Sequence, residues 1–181
     1  IALQLRGIGS GVVTPLNDAR PFFATHLGPL PNVPDVYDGT TGGPEEARSA
    51  RDAGFESVWC PHHYVTDPMR MFQPHETLAR LSAEIPDLRM GTGILLLSMM
   101  NPVEVAEQAA TLDWMTDGGY ILAAGLGYRP EEFQSMGVDR KHRLSRFVEA
   151  VEVIRRLWRE ERVTHHGQHF QLDDNGLSAR P

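Results

Sequence analysis

Leu88-Arg89-Met90-Gly91-Thr92-Gly93-Ile94-Leu95-Leu96-Leu97, residues 88–97, is the stretch on which the fold turns. It is an apolar run of strand length, and it reads as a strand buried on both faces, the mark of a parallel sheet covered by helices. Outward from it the same rhythm repeats. Asn101-Pro102-Val103-Glu104 starts a helix, with Asn as cap, Pro next and Glu three residues on. That helix is expected to run to about Met115, with Val105, Ala109 and Leu112 on one stripe. Upstream, Phe55–Cys60 reads as a strand ending at Pro61, and a helix from about Pro74 carries Leu78, Leu81 and Ile85. A helix opening at Pro44 stops at Gly54, where a left-handed glycine ends it. Downstream, Tyr120–Ala124 reads as the next strand and Gly125-Leu126-Gly127 ends it. The longest helix follows, with Leu144, Phe147, Val148, Val151, Ile154 and Trp158 at helical spacing. Val163–Leu172 then resembles a β-ribbon turning at Gly167.

Such alternation implies right-handed βαβ units, an α/β fold, in a single domain spanning residues 1–181. Residues 1–43 are the least legible. Ile1–Leu5 and Phe22–Leu27 both alternate as strands do. Phe22–Leu27 is the expected first strand of the sheet, because a Pro/Gly loop and then a helix follow it.

With 41% hydrophobic and 23% charged residues, the 181-residue chain has the composition of a globular protein. Its net charge of -7 and the lack of a basic stripe argue against nucleic acid. No apolar run reaches the roughly 20 residues of a membrane helix, so no membrane partner is expected. The single Cys60 can form no internal disulfide, which makes a reducing cytoplasm the expected compartment. The chain begins at Ile1 without a basic segment leading an apolar one, so no signal peptide is read.

Four places could carry chemistry. Pro61-His62-His63-Tyr64 follows the carboxyl end of a strand, where α/β folds gather their ligand-handling residues. A histidine there can move a proton near neutral pH; the other reading is two loop histidines making surface hydrogen bonds. Gly125-Leu126-Gly127-Tyr128-Arg129-Pro130 lacks the third glycine of a dinucleotide fingerprint. Its two glycines still let a flat ligand approach the backbone, or simply make a tight turn. Gly91-Thr92-Gly93 marks a bend or a close approach inside a strand. His165, His166 and His169 alternate along a ribbon and so point to opposite faces, which argues against a metal. Cys60 reads as a small buried hydrophobe, and the three tryptophans as core or interface packing.

Taken in order, these segments resemble one family. Ala53-Gly54-Phe55-Glu56-Ser57-Val58-Trp59, then Arg89 to Leu97 with Asn101-Pro102, then Ala106 to Asp113 are similar to successive motifs of the bacterial luciferase-like monooxygenases. Gly125 to Phe133, Arg146 to Trp158 and Gly167 to Leu172 continue the match. Each motif alone is weak; their collinear order is specific. The resemblance implies a (βα)8 TIM barrel, of which this chain covers about the first four βα units. It implies a flavin-dependent oxidoreductase: a monooxygenase using reduced FMN and O2 on a small organic substrate. The alternatives are an F420-dependent hydride-transfer enzyme or a non-catalytic remnant. By position, His63 matches the family's catalytic histidine and His62 the acidic residue before it. Gly93-Ile94 matches a non-proline cis peptide that cradles the flavin ring, and Gly125, Leu126, Gly127 and Tyr128 match the wall beside it. Gly119 stands where the family carries Arg. Four strands cannot close a barrel, so further chain or a second copy is expected to complete it. A homo-oligomer is expected, with a flavin reductase as a candidate supplier of reduced cofactor.

Overall fold

The computed structural model describes residues 2–4, 42–68 and 71–181. Three parallel strands organise it: β2 (Ser57–Cys60), β3 (Arg89–Thr92) and β4 (Tyr120–Ala123). Register pairs Val58 with Met90, Trp59 with Gly91 and Cys60 with Thr92, and then Met90 with Tyr120 and Gly91 with Ile121. The helices are α1 (Gly42–Asp52), α2 (Pro74–Glu84), α3 (Pro102–Met115), α4 (Pro130–Ser135) and α5 (Arg143–Arg159). α1, α2, α3 and α5 pack one against the next, and α1 to α3 lie on the strands they connect. The parallel sheet expected from the apolar run at residues 88–97 is therefore present.

The sheet order is β1-β4-β3-β2, and β1 is Ala2–Gln4, antiparallel to β4. A fourth parallel strand at Phe22–Leu27 was expected, and that segment lies outside the described residues. Among the described residues the partner on the β4 edge is the other alternating segment. Antiparallel pairing needs no crossover helix, so a short N-terminal strand can take the free edge of β4 directly. The expected strand Arg89–Leu97 is also shorter than its apolar run. It ends at Thr92, bends, rejoins the sheet by a single parallel bridge between Leu95 and Ala124, and closes in a 3-10 turn at Leu97–Met99.

Capping follows the sequence. Asn101 Oδ1 accepts from Val103 N–H at 2.9 Å, and Gly54 sits at φ +88° after α1. Leu78, Leu81 and Ile85 are buried as read, together with Val105, Ala109 and Leu112. The stripe on α5 differs from the expected one. Phe147, Ala150, Val153, Ile154 and Leu157 are buried, whereas Leu144 and Val148 are exposed. Two apolar rows run along this helix. This helix packs on α3, and Trp158 Nε1 donates to the Ala106 carbonyl at 3.1 Å. β5 (Val163–His166) and β6 (Gln171–Asn175) form the expected ribbon. Glu149 of α5 holds its turn by accepting from His169 N–H and Phe170 N–H.

The ribbon histidines have separate partners: His165 meets Glu149, His166 meets Gln171 and His169 meets Ser145. Gly91 takes the structural of its two readings. It faces Trp59 across the register, and a Cβ there would stand 2.5 Å from the indole ring. Cys60 is half-buried against the core, and desolvation pushes its thiol up to about 12, which leaves it inert as a nucleophile. Trp114 departs from core packing: it is exposed, with Nε1 donating to the Arg180 carbonyl at 3.1 Å.

Candidate active site

Because β2, β3 and β4 are parallel, the segments after them emerge at one edge of the sheet. His62 and His63 follow β2, Gly93 and Ile94 follow β3, and Gly125 to Tyr128 follow β4. The sheet thus brings together the three segments singled out in the sequence.

His63 sits at the rim, half-buried, with Nδ1 2.8 Å from Oε1 of Glu132. A carboxylate only accepts, so the Nδ1 that meets it carries a proton, leaving Nε2 as the exchangeable position. Glu132 comes from α4 and is 0% exposed. The same Oε1 accepts from Tyr64 N–H at 3.0 Å and lies 3.6 Å from Arg129 Nη1. Arg129 Nη1 also donates to the Tyr64 carbonyl at 3.2 Å, so the histidine loop and the loop after β4 are locked together. Within the histidine loop itself, Gln73 at the start of α2 donates to the His63 carbonyl at 3.3 Å. Tyr128 stands edge-on to the His63 ring, with centroids 6.0 Å apart. Sequence reading passed over Glu132 and Arg129. Only their place in the Glu131-Glu132-Phe133 motif could have signalled them, since nothing in a linear sequence tells a buried carboxylate from its exposed neighbour.

His62 is a different case. It is 2% exposed and turned inward, its Nδ1 accepting from Leu96 N–H at 3.0 Å. Burial pushes its imidazole down to about 4, so it stays neutral near pH 7. In this arrangement its Nδ1 lone pair is engaged by a backbone amide, unlike that of a histidine free to take up a proton. It lines a polar cavity of about 120 Å3 with Tyr64, Gln73, His75 and Glu104.

The remaining residues build a shelf. The Gly93-Ile94 peptide is cis, at the position where the resemblance placed one. Ile94 is 46% exposed and Tyr128 67%, large apolar side chains left uncovered at the strand ends. Any side chain at Gly125 would strike Ile94 Cδ1, so glycine lets Ile94 lie across that loop. Gly127 takes φ +72°, and a side chain there would press on Met99 and Phe133. An uncovered apolar shelf beside a rim histidine fits a planar aromatic cofactor ring.

A parallel α/β sheet with a carboxylate-paired histidine and an apolar shelf at its carboxyl edge has the arrangement in which α/β proteins place their ligand sites. The comparisons narrow it. The profile described as luciferase-like monooxygenase matches residues 28–181, and the chain belongs to that family. It is 33% identical over 144 residues to the F420-dependent glucose-6-phosphate dehydrogenase of Kineococcus radiotolerans, covering 75% of this chain and 42% of that protein. It is 31% identical over 129 residues to the 4-hydroxyprotoasukamycin monooxygenase of Streptomyces nodosus subsp. asukaensis, covering 71% and 35%. Among solved structures, the monooxygenase RslO1 from Streptomyces bottropensis superposes with a TM-score of 0.71 at 27% identity, covering 82% of this chain and 46% of that one. The chain therefore spans less than half the length of these relatives. No helix among the described residues is long and apolar enough to cross a membrane.

Proposed function

We propose that the protein is an oxidoreductase that binds a reduced flavin-type cofactor on the Ile94–Tyr128 shelf and uses His63 as its acid/base. The leading reading is a monooxygenase with reduced FMN and O2, acting on a small organic substrate. The observation that carries it is the His63–Glu132 pair, a rim histidine oriented by a fully buried carboxylate, beside uncovered apolar residues at the same sheet edge. The cofactor would supply the electrons. The chain's own part is to hold the ring against Ile94, Gly125, Leu126, Gly127 and Tyr128 and to pass a proton at His63 Nε2. Glu132 keeps Nδ1 protonated, so the exchanging proton is confined to Nε2, the ring position its carboxylate leaves free. In this reading the three parallel strands belong to the first half of a (βα)8 barrel whose remaining strands lie in further chain or a second copy.

The 33% identity to an F420-dependent dehydrogenase favours a second reading, hydride transfer with F420 on the same shelf. Titrating the full-length protein with reduced FMN and with reduced F420 separates the two, followed by O2 consumption with whichever binds. His63→Ala should lower turnover on the order of 100- to 10,000-fold with little change in cofactor affinity. Unchanged turnover in that variant removes the acid/base role; binding of neither cofactor removes the reading altogether.

A further inference from the structure

The bend between β3 and α3 carries Ile94 onto the shelf, and its amides are tied to backbone carbonyls. Gly93 N–H donates to Cys60 at 2.7 Å, Leu95 N–H to Ala123 at 2.8 Å and Leu97 N–H to Leu95 at 2.9 Å. Leu96 breaks this pattern. Its N–H donates to a side chain, Nδ1 of His62. Leu96 is itself buried, in a small apolar cluster with Met99 and Phe133 against which Tyr64 and Val138 pack. Met99 and Phe133 are also the groups that a Cβ at Gly127 would meet. The hydrogen bond from Leu96 thus fixes a residue two positions after Ile94 that belongs to the cluster a side chain at Gly127 would meet. His62 ends on the other side against Tyr64, with ring centroids 4.5 Å apart, so its own orientation is fixed by packing.

We propose that His62 is a positioning residue: as a neutral imidazole accepting from Leu96 N–H, it staples the loop after β2 to the bend after β3 and sets both halves of the cofactor shelf. This rests on the reading of the shelf given above. It assigns the two adjacent histidines opposite tasks, His63 to proton transfer and His62 to holding the surface on which the cofactor lies. An acceptor is required there, because without it a buried N–H is left unsatisfied.

The test uses the full-length protein with His62→Asn and His62→Phe. Asparagine keeps an acceptor at the position of Nδ1, whereas phenylalanine keeps the ring volume without one. Affinity for the reduced cofactor that the wild type binds should fall about tenfold in the Phe variant, within the span of one lost buried hydrogen bond. It should recover in the Asn variant, while turnover at saturating cofactor stays within about twofold of wild type in both. Without cofactor, amide exchange at Leu96 should quicken in the Phe variant and not in the Asn variant. Unchanged affinity in the Phe variant, or equal loss in both, overturns the staple. If the wild type binds neither FMN nor F420, the shelf reading fails, and exchange at Leu96 alone decides whether the staple exists.

Discussion

Acidification should reach this fold through His62 before it reaches most of its exposed groups. The imidazole is buried and held down to about 4 by desolvation, against about 6.5 in an unfolded chain. Between those values the unfolded state binds a proton that the native state refuses, so native stability falls as pH drops through that window. The contribution is fully present above about pH 6.5. It falls by about 2 kcal/mol at pH 5 and by about 3 kcal/mol once the pH is below 4, where both states are protonated. Protonation also puts a hydrogen on Nδ1, which can then no longer accept from Leu96 N–H. The assay is urea unfolding of wild type and His62→Asn at a series of pH values from 7.5 to about 4. Subtracting the two curves cancels the titration of His75 and the carboxylates common to both. The difference should be flat above pH 6.5 and shift against the wild type by about 2 kcal/mol at pH 5. Parallel curves down to pH 4.5 would refute the burial argument, and so would a wild type that gains relative stability in acid.

Two further outcomes follow from single contacts. Glu132→Gln should lower turnover by about 100-fold, the lower end of what acid/base positioning contributes, because the amide no longer fixes the proton on His63 Nδ1; steady-state kinetics with saturating cofactor would read it, and an unchanged rate would show that His63 needs no orienting group. Gly91→Ala should destabilise the fold by about 1–3 kcal/mol, the usual cost of overpacking, because its Cβ would stand 2.5 Å from the Trp59 ring; a thermal midpoint equal to wild type would mean the indole can move aside.

Much of this architecture was legible in the residues themselves. The apolar run at residues 88–97, the Asn101-Pro102 start, the glycine stop at Gly54 and the stripes at Leu78, Leu81 and Ile85 are local signals, since periodicity and capping depend on neighbours a few residues away. The collinear motifs likewise pointed to the family. They also placed His63, Gly93-Ile94 and Gly125 to Tyr128 after strand ends, and parallel pairing then carries such positions to a common edge.

Contacts between distant segments were a different matter. Which of two apolar rows on α5 would be buried depended on α3 lying against it. That Ala2–Gln4 would pair antiparallel with β4 was beyond an alternation that carries no strand direction. Above all, His62 and His63 are adjacent and chemically identical in the sequence. One is a buried acceptor for a residue 34 positions away, and the other meets a buried carboxylate 69 positions away. Side-chain type and spacing determined that a histidine pair would stand at the end of β2. Only the tertiary fold, by setting Leu96 beside one ring and Glu132 beside the other, decided which histidine gives its lone pair to a backbone amide in the interior and which meets a carboxylate at the rim.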